Sequence, residues 1–192
     1  MSLKIIHTAD WHLGQTFFGY DRDEEHEAFL SWLIDILTLR QTDVLLIAGD
    51  VFDVANPWEA NRRNPQLQIV IIAGNHDSAA RLEAPIPLLE ELNTSIVGAV
   101  PRTDLCKIDF DSLLIPLYNK EGKREAICLA VPYLRQGDYP ASKEGKDTYV
   151  EGVTRMYRQL YDYADSQRQP GEALLAMGHL HATGAELSED DR

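Results

Sequence analysis

The stretch Val44-Leu45-Leu46-Ile47-Ala48-Gly49-Asp50-Val51-Phe52-Asp53 runs from an unbroken apolar segment straight into a glycine and two carboxylates. A short run that is apolar at every position reads as a strand covered on both faces, the habit of a central strand in a parallel sheet. Gly49-Asp50 then falls at the strand's carboxyl end, where open α/β sheets collect their ligands. Two further segments repeat the pattern: Leu3 to Ile6 leads towards Asp10-Trp11-His12, and Ile69 to Ile72 leads to Gly74-Asn75-His76-Asp77. Each turn alone is ordinary, because Gly-Asp and Gly-Asn-His are common turn or helix-entry residues. Three of them at one sheet edge bring carboxylate, imidazole and amide donors together without a thiolate. Such a set suits Mn, Fe, Zn or Mg and argues against a structural zinc clip.

The rest of the chain frames this reading. With 192 residues and 44% hydrophobic content, it can bury one substantial core, so a single α/β domain over 1–192 is expected. No apolar stretch approaches the roughly 20 residues of a membrane span, and the amino terminus opens on a strand instead of a signal-type segment. A cytoplasmic protein without membrane contact is the expectation. Cys106 and Cys128 lie far apart, lack Cys-x-x-Cys spacing, and read as reduced thiols. The formal net charge of −13 points away from simple electrostatic capture of a polyanion. A nucleic-acid substrate would therefore lean on bound cations and on a partner or region outside this chain.

Periodicity predicts a helix presenting Phe29, Leu30, Leu33, Ile36 and Leu37 on one face. Asp77-Ser78 reads as the cap of a second helix towards Asn93, interrupted by Pro85 and Pro87. Ile96 to Val100, Leu113 to Leu117 and Ile127 to Val131 read as strands, with Asn119 to Arg124 as a polar turn. Tyr149 to Ala164 reads as a helix and Ala173 to Met177 as a last strand ending at Gly178-His179. Pro140 to Thr148 reads as a surface loop, and there is no internal repeat.

At the site, Asp10 and His12 are one residue apart just past a strand, so both can turn to the same point and hold one metal ion. Asp50 has two carboxylate oxygens and can bridge two ions, Asn75 offers an amide oxygen to the second, and His179 can complete that ion's shell. His76 is assigned as general acid for the leaving oxygen or as a hydrogen-bond donor to the developing charge, not as a ligand, with Asp53 placed to hold its second ring nitrogen. Asp77 reads as a helix cap and Trp11 as core. His7 alternates away from the site, His26 lies in a polar helical turn, and His181 stands as an alternative to His179.

The segments Asp10-Trp11-His12-Leu13-Gly14-Gln15, Ala48-Gly49-Asp50-Val51-Phe52-Asp53 and Ala73-Gly74-Asn75-His76-Asp77-Ser78 resemble the calcineurin-like metallophosphoesterase superfamily. Within it, the extended first segment and Phe52 resemble the SbcD branch, the nuclease subunits of bacterial SbcC-SbcD complexes. The resemblance implies a four-layer αββα sandwich and a two-metal, Mn-dependent site cutting DNA by phosphodiester hydrolysis in double-strand-break or hairpin processing. It also implies an SbcC-type ATPase partner and allows a homodimer. Carried over residue by residue, Asp10 and His12 match ligands of one ion, Asp50 the bridge, Asn75 and His179 ligands of the other, and His76 the catalytic histidine supported by Asp53.

Two departures accompany the resemblance. The family pattern continues to a Gly-His-x-His segment supplying one ligand to each ion, and Gly178-His179-Leu180-His181 has that spelling. Its continuation Ala182-Thr183-Gly184-Ala185 instead resembles the family's earlier single-histidine segment, so the domain reads as shortened, without the final metal-binding motif, capping region and partner-binding tail. The second departure is the Asp53 to Ile69 connection, too short for the helix the family carries there, which reads as an internal deletion or a gap. Two other functions fit the sequence. One is a related phosphoesterase acting on a small phosphodiester or a phosphoprotein, the protein-phosphatase version being disfavoured because Val54-Ala55 follows Asp53 where that family has Arg-Gly. The other is a catalytically inactive fragment or interaction module.

Overall fold

Leu46 and Leu45 are neighbours in sequence yet enter different cores, and this alternation organises the molecule. The computed structural model describes residues 2–51, 66–84, 93–141 and 148–180. The amino-terminal part carries β1 (Ile5–Thr8), the hairpin strands β2 (Thr16–Phe17) and β3 (Tyr20–Asp21), α1 (Asp23–Leu39) and β4 (Val44–Ala48). Then come β5 (Gln68–Ile72), α2 (Ala79–Glu83) and β6 (Thr94–Val97). The last part holds β7 (Leu114–Tyr118), β8 (Arg124–Ala130), α3 (Tyr149–Gln167) and β9 (Ala173–Met177).

Four strands form a parallel sheet in the order β1-β4-β5-β6, and a second sheet has the order β7-β8-β9 with β7 antiparallel and β9 parallel to β8. Every residue of β4 and β5 is buried, as expected of central parallel strands covered on both faces. Leu45, Ile47, Ile69 and Ile71 pack with Leu33 and Leu37 of α1 and Leu82 of α2. On the opposite face, Val44, Leu46, Ala48, Val70 and Ile72 share a core with the second sheet and with Met156, Leu160 and Ala164 of α3. The layers are helix, sheet, sheet, helix, the αββα sandwich expected from the resemblance. Among the described residues, no helix is long and apolar enough to cross a membrane.

Pairing, not local pattern, sets the element ends. The first strand lies at Ile5–Thr8 instead of Leu3 to Ile6, because Ile5 pairs with Val44 and Thr8 with Ile47. β6 likewise begins at Thr94 opposite Ile69, two residues before the expected start. Arg124, expected in a turn, already pairs with Tyr118 and opens β8. α3 extends to Gln167, and a capping box fixes its start: Thr148 accepts from the Glu151 N–H while the Glu151 carboxylate accepts from the Thr148 N–H. The β2–β3 hairpin lies outside the expected elements; Phe18 (φ 48°) and Gly19 (φ 82°) form a two-residue turn with left-handed backbone at both positions. Both cysteines are free thiols, and burial pushes Cys128 up to about 12. The Asp53 to Ile69 connection and the loop from Pro140 to Thr148 fall largely outside the described residues.

Candidate metal centre

The loop after β1 runs alongside the loop after β4. The Asp10, His12 and Leu13 N–H groups donate to the carbonyls of Gly49, Asp50 and Val51 at 3.0, 2.9 and 3.1 Å. Asp10 (φ 56°), His12 (φ 45°) and Asp50 (φ 49°) all adopt left-handed backbone. Non-glycine residues rarely do so, and such strain concentrates where side chains must be aimed. Two glycines make room for the result. A Cβ on Gly49 would enter the His179 ring, and one on Gly74 would collide with the Asp50 carboxylate.

Asp10, Asp50 and His179 each offer a ligand atom within 4.8 Å of the others. Asp50 is 4% exposed, whereas Asp10 is exposed and His179 half-buried. β9 delivers His179 across from the second sheet, and the ring's Nδ1–H donates to the Ala48 carbonyl at 2.9 Å. Its Nε2 faces Asn75 Oδ1 at 3.0 Å and Asp50 Oδ2 at 3.5 Å. An imidazole nitrogen, an amide oxygen and a carboxylate oxygen converge there, a donor set that suits a cation. An imidazole held by a backbone carbonyl through its far nitrogen is the usual support of a metal-ligating histidine.

The other expected site residues lie around this point. His12 Nε2 stands 3.8 Å from Asp50 Oδ2. The exposed His76 ring meets His12 edge-on, with centroids 5.5 Å apart, while its backbone N–H donates to Asp50 Oδ1 at 2.9 Å. Asp53 and His181 lie outside the described residues. Trp11 is core as expected, its Nε1–H bound to Thr8 Oγ1 at 2.9 Å and its ring edge-on to Phe29.

Asp77 corrects the sequence reading. Ser78, not Asp77, is the N-cap of α2, and its side chain makes no capping bond. The buried Asp77 carboxylate instead accepts the Gly74 N–H at 2.8 Å and the Val51 N–H at 3.1 Å, clamping the β5 loop to the β4 loop. Its short-range half is detectable in sequence, since aspartates often bond backbone N–H groups within a few residues; the Val51 contact has no local signal. Two tyrosines that the motifs do not mark also bear on the site. Tyr133 sets its ring edge-on to His179 at 6.2 Å, and the Tyr157 hydroxyl donates to the Met177 carbonyl at 3.2 Å just before Gly178-His179. Burial pushes the Tyr157 phenol above its ordinary pKa, so it stays a donor.

A two-sheet sandwich with acidic and imidazole groups converging at the carboxyl edge defines a metallophosphoesterase. The family described as calcineurin-like phosphoesterase matches residues 3–191, and the chain belongs to it. It is 44% identical over 198 residues to the SbcD subunit of the SbcCD nuclease of Rhodobacter capsulatus, covering 95% of this chain and 49% of that one. The same-named proteins of Escherichia coli K12 and Bacillus subtilis are 31% and 30% identical, covering 97% and 99% of this chain and 48% and 50% of theirs. The chain thus spans about half the length of the curated relatives it matches.

Proposed function

We propose that this chain carries the phosphodiester-cutting site of an SbcD-type nuclease subunit, using two divalent ions, Mn most readily, and acting on DNA in double-strand-break or hairpin processing with an SbcC-type ATPase as partner. The observation that carries the reading is the convergence of Asp10, the buried Asp50 and His179 at the carboxyl ends of β1, β4 and β9. Asp10 and His12 would hold one ion, Asn75 and His179 the other, and Asp50 both. The bound ions would supply an activated water and counter-charge for the non-bridging phosphate oxygens.

The chain's own groups do the remainder. Asp50, oriented by the His76 N–H, keeps a fixed anion at the centre of the site. His76 stands exposed at its mouth, where its ring can give a proton to the departing sugar oxygen. Asp53 would fix the tautomer of that ring.

The test is Mn-dependent release of nucleotides from end-labelled linear duplex DNA, with Mn2+ binding titrated separately. His76→Ala is expected to bind Mn2+ as the parent does and lose turnover by roughly 100-fold or more, whereas Asp50→Ala loses both. Equal metal loss in the two variants would overturn the role given to His76; no turnover by a folded, metal-loaded parent would overturn the nuclease reading.

A further inference from the structure

Past β8 the chain reaches the carboxyl edge of the first sheet. The Tyr133 N–H donates to the Ala73 carbonyl at 2.8 Å, immediately before Gly74-Asn75, and so pins the second sheet's loop to the edge of the first. From there the Tyr133 ring stands edge-on against His179 at 6.2 Å. The Arg135 guanidinium lies over that ring, 5.9 Å from its centroid. Two successive ring contacts therefore link an exposed cation to the metal centre.

The turn that carries Arg135 is fixed from several sides. The Arg135 N–H donates to Asp138 Oδ2 at 2.8 Å, the Asp138 N–H returns to the Arg135 carbonyl at 3.0 Å, and Arg102 Nη2 donates to the Gly137 carbonyl at 2.7 Å. Tyr149 closes the other side through its hydroxyl, which donates to the Leu134 carbonyl at 2.9 Å. Asp138, the nearest carboxylate in sequence, is thus engaged by Arg135's backbone. Among the described residues the Arg135 guanidinium forms no ion pair, whereas Arg22, Arg124 and Arg168 are matched to Glu25, Glu172 and Asp165. In a chain of net charge −13, an exposed arginine held beside the proposed catalytic centre is informative by its position. A guanidinium stacked on an aromatic face keeps its N–H edges free, and those edges match phosphate oxygens in pairs.

We propose that Arg135, seated on Tyr133 beside His179, is a phosphate subsite that takes a DNA backbone phosphate neighbouring the one at the metal centre. This rests on the phosphodiesterase reading for its placement, but its test does not depend on turnover. Such a contact carries no sequence information; it sets the register of the strand across the site.

Binding of a fluorescent DNA duplex is measured by anisotropy against salt concentration for the parent, Arg135→Gln and Arg135→Lys, with Mn2+ titrations and thermal melts confirming that the metal loops and the fold persist. In Arg135→Gln the slope of log affinity against log salt is expected to shrink by about 0.9, the loss of one phosphate contact, and Arg135→Lys should restore it. An unchanged slope in Arg135→Gln, or a lysine variant that behaves as glutamine does, overturns the subsite. So does a parent that fails to bind duplex while still hydrolysing a small phosphodiester, which leaves the phosphodiesterase reading intact. The converse result, salt-dependent duplex binding that weakens in Arg135→Gln in a protein without any turnover, upholds the subsite and sinks the nuclease.

Discussion

The two ends of β9 carry the same problem and solve it differently. At its amino end, Glu172 is 7% exposed; at its carboxyl end, His179 points at Asp50, which is 4% exposed. Glu172 is fully answered by the protein: Arg124 Nε and Nη2 donate to its two oxygens at 2.5 and 3.0 Å, and the Gln169 N–H adds a third bond at 2.8 Å. Among the described residues, Asp50 receives one backbone N–H, from His76, and otherwise faces the His12 and His179 imidazoles at 3.8 and 3.5 Å. A buried charge has to be paired or neutralised. One end closes its charge internally and acts as a staple between β8 and β9. The other leaves an anion with no guanidinium or ammonium against it among the described residues, and so has affinity to offer an incoming cation.

The largest effect that separates the two ends comes from neutralising each carboxylate in turn. Asp50→Asn keeps an oxygen for the His76 N–H but removes the charge. With a chelator present it is expected to raise the melting temperature, while its Mn2+ affinity falls by more than about 100-fold. Glu172→Gln should lower the melting temperature, because it strands Arg124, and leave Mn2+ affinity as it was. Calorimetry and metal titration read both. A melting temperature that falls in Asp50→Asn would mean that the protein already compensates that charge, and the contrast between the ends would collapse.

A second, smaller effect tests how the cation-seeking end is held open. The Asp77 carboxylate ties the Gly74 and Val51 N–H groups together, and through them the two loops that carry Asn75 and Asp50. Asp77→Ala leaves buried donors unmatched and is expected to cost roughly 2–3 kcal/mol in denaturant unfolding, with weaker Mn2+ binding. Asp77→Asn keeps one acceptor oxygen and should recover part of both losses. If metal affinity is unmoved while stability drops, the clamp serves the fold alone and does not aim the ligands.

What is legible in the sequence follows from which interactions are local. Val44 to Ala48 and Gln68 to Ile72 declare themselves because parallel strands covered on both faces must be apolar almost throughout. The turns that carry the candidate ligands can be placed at their carboxyl ends for the same reason. His179 is visible as a histidine after an apolar run, but its contact with Ala48 spans 131 residues and nothing local foretells it. Asp77 reads as a cap because an aspartate before a helix usually is one, and here the backbone N–H groups of Val51 and Gly74 compete for it and win. The Arg124–Glu172 staple is invisible for a different reason: Arg124 sits between a polar turn and an apolar strand, and only its pairing with Tyr118 of β7 makes it the strand's first residue.

That staple also gives the comparison its mildest and most quantitative probe, acidification. Arg124's hydrogen bonds, and after them the Gln169 N–H, hold the Glu172 carboxyl below the ordinary carboxylate range. A carboxylate favoured by the fold contributes its full stabilisation above the ordinary carboxylate pKa and loses it as pH falls through the lowered folded value. The parent's urea midpoint should therefore decline from neutral pH towards the acid range more steeply than that of Glu172→Gln, which has no proton to take up there, and the two curves should converge at the acid end. Arg124→Met removes the partner and is expected to flatten the same part of the curve. Parallel curves for parent and Glu172→Gln would show that the pair adds nothing to folding, and that the amino end of β9 is held by its backbone pairing with β8 alone.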